Sequence, residues 1–168
     1  MVTPEPSLEP KSKSLAPALQ ALWVLFCLRV AGQALVAAGV AGFLPPMQAW
    51  YSGLIPYPLL LQVQLVLIWL LGKICKNFVQ GSGWLVEPDR RLGKGLLIFG
   101  IIYGLVMSAR YAICMVLMPE QRWLGGTIPV FFHLVLASFV CLLGRYHCSE
   151  DSGDQPSEGG QASKALRV

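Results

Sequence analysis

Negative charge is missing from the places where a soluble domain would carry it. None of the nine Asp and Glu residues falls inside a long apolar run, and residues 30–72 hold no charge of either sign across 43 positions. Charged residues make up 13% of the chain, against about 25% in an ordinary soluble domain. With 55% hydrophobic residues and a mean hydropathy of +0.58, a single water-soluble core is excluded. The composition is that of an integral membrane protein.

Other absences exclude particular chemistries. Proton-coupled antiport in a small bundle relies on a carboxylate inside the membrane, and the runs contain none. A bis-histidine haem needs imidazoles on facing helices. The two histidines, His133 and His147, fall on one run, about 21 Å apart at the rise of an α-helix. A zinc site lacks ligands at suitable spacing. Of five cysteines, Cys27, Cys114 and Cys141 lie inside runs, while Cys75 and Cys148 lie at their ends. No C-x-x-C pair exists, so a quinone-linked disulfide generator is excluded. Neither a Ser-His-Asp set nor a phosphate-cradling glycine loop is visible, and the segment 81–83 reads as a flexible turn. No conventional enzyme, no metal and no resident cofactor is expected, with a quinone as the alternative to having none. Nucleic-acid binding needs a soluble basic face, which is lacking.

What is present is four apolar runs of membrane-spanning length, at about 17–43, 56–75, 95–118 and 127–146. They predict an all-α polytopic membrane protein, a four-transmembrane-helix up-down bundle occupying residues 15–147. Residues 1–14, with Pro4, Pro6 and Pro10, and the acidic Gly/Ser-rich residues 148–168 read as disordered tails. Proline restricts its predecessor and donates no hydrogen bond, so Pro45 and Pro46 are expected to end the first helix. Its length and Arg29 argue against a cleaved signal peptide.

Lys and Arg counts near the span ends set the orientation. Lys11, Lys13, Lys73, Lys76, Arg90, Arg91, Lys94 and Arg145 fall on one side, and Arg122 alone on the other. Both termini and the 76–94 loop are therefore expected in the cytoplasm, across a bacterial inner membrane, with anionic lipids gathered at that loop. Eight against one also argues against dual topology. Trp23, Trp69 and Trp84 fall near the inner interface, Trp50, Tyr51, Tyr57 and Trp123 near the outer one.

Gly100, Gly104 and Ser108 form a small-residue stripe, as do Ala34, Ala38 and Gly42, and both favour close packing within the chain. The uncharged connection 45–58, with four prolines and adjacent Trp50 and Tyr51, reads first as an anchor in the outer interface and second as a lid folded back over the bundle mouth.

Polar residues inside the runs carry the functional signal. Arg29 lies about 18 Å up the first span and Gln33 one turn higher on the same face. Gln62 lies about 8 Å below the outer end of the second span, with Gln64 slightly deeper. Arg110 sits about 22 Å up the third with Tyr103 two turns below, and His133 about 9 Å below the outer end of the fourth. All fall in one slab in the outer half of the membrane. An arginine at a helix centre costs about 2.5–3.5 kcal/mol on insertion scales, and no carboxylate is at hand. Arg29, Gln33, Gln62, Tyr103, Arg110 and His133 are therefore the candidate ligand-binding residues, reached by water and outer headgroups or completed by an anionic or carbonyl-rich ligand, or else a structural network.

Residues 47–58 (MQAWYSGLIPYP) and 123–133 (WLGGTIPVFFH), the latter continuing to GRYH at 144–147, resemble a group of small four-span bacterial inner-membrane proteins. The resemblance covers most of the chain between the tails and implies a four-span bundle, with no activity attached. Leu28-Arg29-Val30 with Gly32 is similar to the first span of DoxX-like four-helix proteins, which implies a link to quinol chemistry. The expected function is a non-catalytic bundle that binds a lipid, a quinone or a partner helix through the polar layer. Two alternatives stand beside it: a redox or transport accessory subunit handling a quinone or anion, and a scaffold within a larger membrane-protein complex.

Overall fold

The computed structural model describes residues 11–40, 42, 44–45, 50, 56–83, 85–117 and 127–149. Four helices account for nearly all of them: α1 (Lys11–Ala37), α2 (Tyr57–Gln80), α3 (Arg90–Leu117) and α4 (Thr127–Ser149). Each is long and apolar enough to cross a membrane, as the runs predict. The remainder of both expected tails, Arg122, Trp84 and Trp123 lie outside the described residues.

Capping, rather than the edge of the apolar run, sets the helix ends. The first helix stops at Ala37, well before the prolines expected to end it. Gly39 adopts φ +71°, its N–H donates to the Val36 carbonyl (3.1 Å), and the Val40 N–H donates to Leu35 (3.2 Å). This is a Schellman cap, in which a left-handed glycine lets the last carbonyls find donors. Open space surrounds the Gly39 Cα, so Gly39→Ala is expected to cost about 1–2 kcal/mol through backbone conformation alone, read by thermal unfolding. Gly42 therefore lies beyond the helix, and the stripe expected from Ala34, Ala38 and Gly42 does not form.

At the opposite end α2 runs on to Gln80, where Gly81 (φ +66°) caps it by donating to the Asn77 carbonyl. The expected flexible turn is thus a helix cap. Asp89 starts α3: its carboxylate accepts from the N–H groups of Arg91 (2.8 Å) and Leu92 (3.2 Å), the usual role of an N-cap. The Asp89 N–H itself donates to His147 Nδ1 on α4 (3.1 Å). Asp89→Ala is expected to cost about 1 kcal/mol, seen as faster amide exchange over residues 90–93. The chain also turns helical earlier than its tail-like composition implies. Lys11 begins α1, Ser12 is buried, and Lys13 lies beside Gly81.

The helices pack as α2 on α1, α1 on α4, and α4 on α3. Although a short loop joins α2 to α3, the two share no extended interface among the described residues, which departs from a bundle of sequential neighbours. The reason lies in the side chains. Leu19, Phe26 and Val30 on α1, Leu71, Ile74 and Phe78 on α2, and Phe139, Leu143 and Tyr146 on α4 form one buried core. On α3 the buried residues are Gly93 and Gly100.

Glycines dock α3 onto α4. A Cβ built on Gly100 falls 2.6 Å from Cys141 Sγ and 3.2 Å from the Cys141 nitrogen; one on Gly93 falls 2.8 Å from His147 Cβ. From the other side, a Cβ on Gly144 meets the Leu97 nitrogen at 2.8 Å. The expected stripe of Gly100, Gly104 and Ser108 is therefore displaced: Gly104 has room, and Ser108 is exposed.

The large core side chains gather toward the end that carries Asp89 and Arg90. Phe78 meets Tyr146 edge-on at 4.9 Å, and the Tyr146 hydroxyl donates to the Val86 carbonyl (2.7 Å). Trp23 packs on Gly72 and its indole N–H donates to the Ile68 carbonyl of α2 (2.9 Å). Trp69 is exposed, with Lys73 over its ring. Apolar packing thus fills one half of the bundle and leaves the other half to polar groups.

Candidate functional site

Three side chains from two helices meet in that second half. Arg29 and Gln33, one turn apart on α1, share a face, and the Arg29 Nη1 donates to Gln33 Oε1 at 2.6 Å. Gln64 on α2 donates its Nε2 to the same oxygen at 3.1 Å. The Arg29 Nη2 donates to the backbone carbonyl of Trp50 (3.2 Å), and the guanidinium stands over the Phe132 ring of α4 at 5.8 Å, a cation–π contact. Arg29 is 8% exposed, Gln64 5% and Gln33 0%.

Trp50 covers this cluster. Gly32 makes the approach: a Cβ there would fall 2.9 Å from the indole. The Trp50 indole N–H donates to the Pro45 carbonyl (3.0 Å), and the residue is buried. At Trp50 the connection is folded back over α1, the second of the two arrangements expected for it.

A second polar pair lies between α3 and α4. The Tyr103 hydroxyl faces His133 Nδ1 at 2.5 Å, and Phe99 stacks on Tyr103 at 5.8 Å. His133 follows Phe132 in sequence, so α4 touches both groups.

The single slab of six residues is therefore two clusters. Arg29 and Gln33 belong to the first, Tyr103 and His133 to the second. Gln62 is exposed on α2, about 200° around the helix from Gln64, so Gln64 takes the place expected for it. Arg110 is exposed on α3 and joins neither cluster by a hydrogen bond among the described residues. Trp50 and Phe132 were not legible as site residues. The one hint was Gly32 next to Gln33, a small residue where a ring approaches.

No protein-family model, curated protein or solved structure matches this chain.

The electrostatics of the first cluster are unbalanced. The acids among the described residues, Glu87 and Asp89, sit in the loop at the far end of the bundle. Arg29 therefore has amide, carbonyl and aromatic partners but no carboxylate among the described residues. Glu120, in the connection between α3 and α4, lies outside them. Three polar atoms in the cluster also lack hydrogen bonds: Arg29 Nε, Gln33 Nε2 and Gln64 Oε1. Each such atom costs about 1–3 kcal/mol when left unpaired. Among the described residues the cluster presents one guanidinium and two amides, with no nucleophile and no acid–base pair.

Proposed function

We propose that this chain is a non-catalytic multi-pass protein of the bacterial inner membrane that binds a lipid-type ligand at Arg29, Gln33 and Gln64. The observation that carries the proposal is a buried guanidinium with no carboxylate partner among the described residues, beside two amides that each have one end without a hydrogen bond. A buried charge persists when it is paired or when a ligand completes its shell. Burial between α1, α2 and Trp50 favours a small polar group over a partner helix, because another protein's helix does not reach side chains packed inside this one. The excess of Lys and Arg at the Asp89 end supports cytoplasmic termini, and those residues attract anionic lipids of the inner leaflet.

Native mass spectrometry from mild detergent, with an absorption spectrum of the same sample, tests the reading. The wild-type chain is expected to carry one retained small-molecule mass per chain, lost in Arg29→Leu while the helical signal is kept. A bare wild-type mass overturns it.

The Tyr103–His133 hydrogen bond favours a second reading, a redox or transport accessory role in which that pair orients a quinone headgroup. In that case a quinone chromophore copurifies, and Tyr103→Phe removes it while Arg29→Leu does not.

A further inference from the structure

The hydrogen-bond polarity of the first cluster narrows the ligand. A guanidinium only donates, so Arg29 Nη1 fixes which end of the Gln33 amide faces it: the oxygen. Gln64 approaches that same oxygen and must present its NH₂. The charge of Arg29 thereby sets both amides, and three atoms are left over, Arg29 Nε and Gln33 Nε2 as donors and Gln64 Oε1 as an acceptor. All belong to side chains that share Gln33 Oε1, so they lie within a side-chain length of one another.

A group that completes this set meets three conditions. It carries one negative charge, because Arg29 has no carboxylate partner among the described residues. It offers at least two acceptor oxygens, for Arg29 Nε and Gln33 Nε2. It also brings a donor, for Gln64 Oε1. A fatty-acid carboxylate meets the first two conditions and lacks the donor. A zwitterionic ammonium phospholipid has acceptors and donors, but its own cation cancels the charge and would stand beside the guanidinium. An oxidised quinone has neither charge nor donor. A phosphodiester whose headgroup bears a hydroxyl meets all three.

We infer that the cluster holds the headgroup of a monoanionic, hydroxyl-bearing phospholipid such as phosphatidylglycerol. Its phosphate oxygens accept from Arg29 Nε and Gln33 Nε2, and its hydroxyl donates to Gln64 Oε1. This rests on the ligand reading above and adds the headgroup class. The position agrees with it: Arg29 lies eight residues before the end of α1 at Ala37, about 12 Å along the helix, at the end of the bundle away from the basic loop. To meet the cluster, the headgroup of a lipid in that leaflet is drawn inward by about that distance along α1, below its ordinary level.

The test is native mass spectrometry of the full chain with phosphatidylglycerol, phosphatidylethanolamine and oleate added in equal amounts. Wild-type protein is expected to retain one phosphatidylglycerol, preferred about tenfold or more over the other two, the difference made by satisfying one buried acceptor that is otherwise left unpaired. Gln64→Glu places a carboxylate beside Arg29 and is expected to lose the lipid while remaining folded. Gln64→Leu keeps the charge but removes the acceptor, and should hold phosphatidylglycerol and oleate equally. Arg110→Gln, outside the cluster, should bind as wild type. Equal retention of phosphatidylethanolamine, or preference for oleate, overturns the headgroup class and leaves the ligand reading standing. A bare mass under all three lipids overturns both. Undiminished phosphatidylglycerol retention in folded Gln64→Glu and Gln64→Leu overturns the site.

Discussion

Changing Arg29→Met, Gln33→Leu and Gln64→Leu together is expected to make the lipid-free protein more resistant to unfolding, by about 1–4 kcal/mol. The hydrogen bonds lost are modest, since side-chain bonds between membrane helices average about 0.6 kcal/mol. What is gained is relief from three unpaired polar atoms at about 1–3 kcal/mol each and from an uncompensated buried charge. Gln33→Leu alone should have the opposite sign. It strands the guanidinium and the Gln64 amide together, and removing one partner of a buried charge costs about 3–5 kcal/mol. Detergent-titrated unfolding of delipidated protein reads both changes. A destabilised triple variant would show that the cluster holds the bundle together without a ligand.

The second large effect concerns the contact between α3 and α4. Gly100→Val is expected to cost about 3 kcal/mol, the upper end for overpacking, because the new Cβ meets Cys141 Sγ at 2.6 Å and backbone behind it at 3.2 Å. Gly144→Ala should be nearly as damaging, since the Leu97 backbone nitrogen stands 2.8 Å from its Cβ position and has no rotamer to escape into. Gly104→Ala is the control. Its Cβ would touch Ala137 at an ordinary 3.5 Å, and alanine favours the helix by about 1 kcal/mol over glycine, so stability should hold or rise. Steric-trapping or denaturant titration distinguishes the three. If Gly100→Val unfolds no sooner than Gly104→Ala, α3 is not held by its glycines.

The difference between these two regions explains how far the site was legible. Arg29 and Gln33 could be paired from sequence because a spacing of four puts them on one helix face. Choosing between Gln62 and Gln64 needed the rotation of α2 about its own axis, and an apolar helix with few polar residues gives that rotation no marker. Trp50 looked like an interfacial aromatic because composition reports how a loop is hydrated, not which way it folds. The glycines of α3 were visible as a stripe, but the partner that chose Gly93 and Gly100 over Ser108 sits on α4.

Sequence alone determined the four spans, the basic end and the lack of any carboxylate within the membrane. Those properties depend on transfer of each residue into lipid, which is local and additive along the chain. The tertiary structure decided that α1 and α4 are central, that α3 is held by glycines, and that the polar slab is two clusters with Trp50 over one of them. Those outcomes depend on side-chain volume and helix rotation at contacts between distant residues, quantities that no local pattern carries.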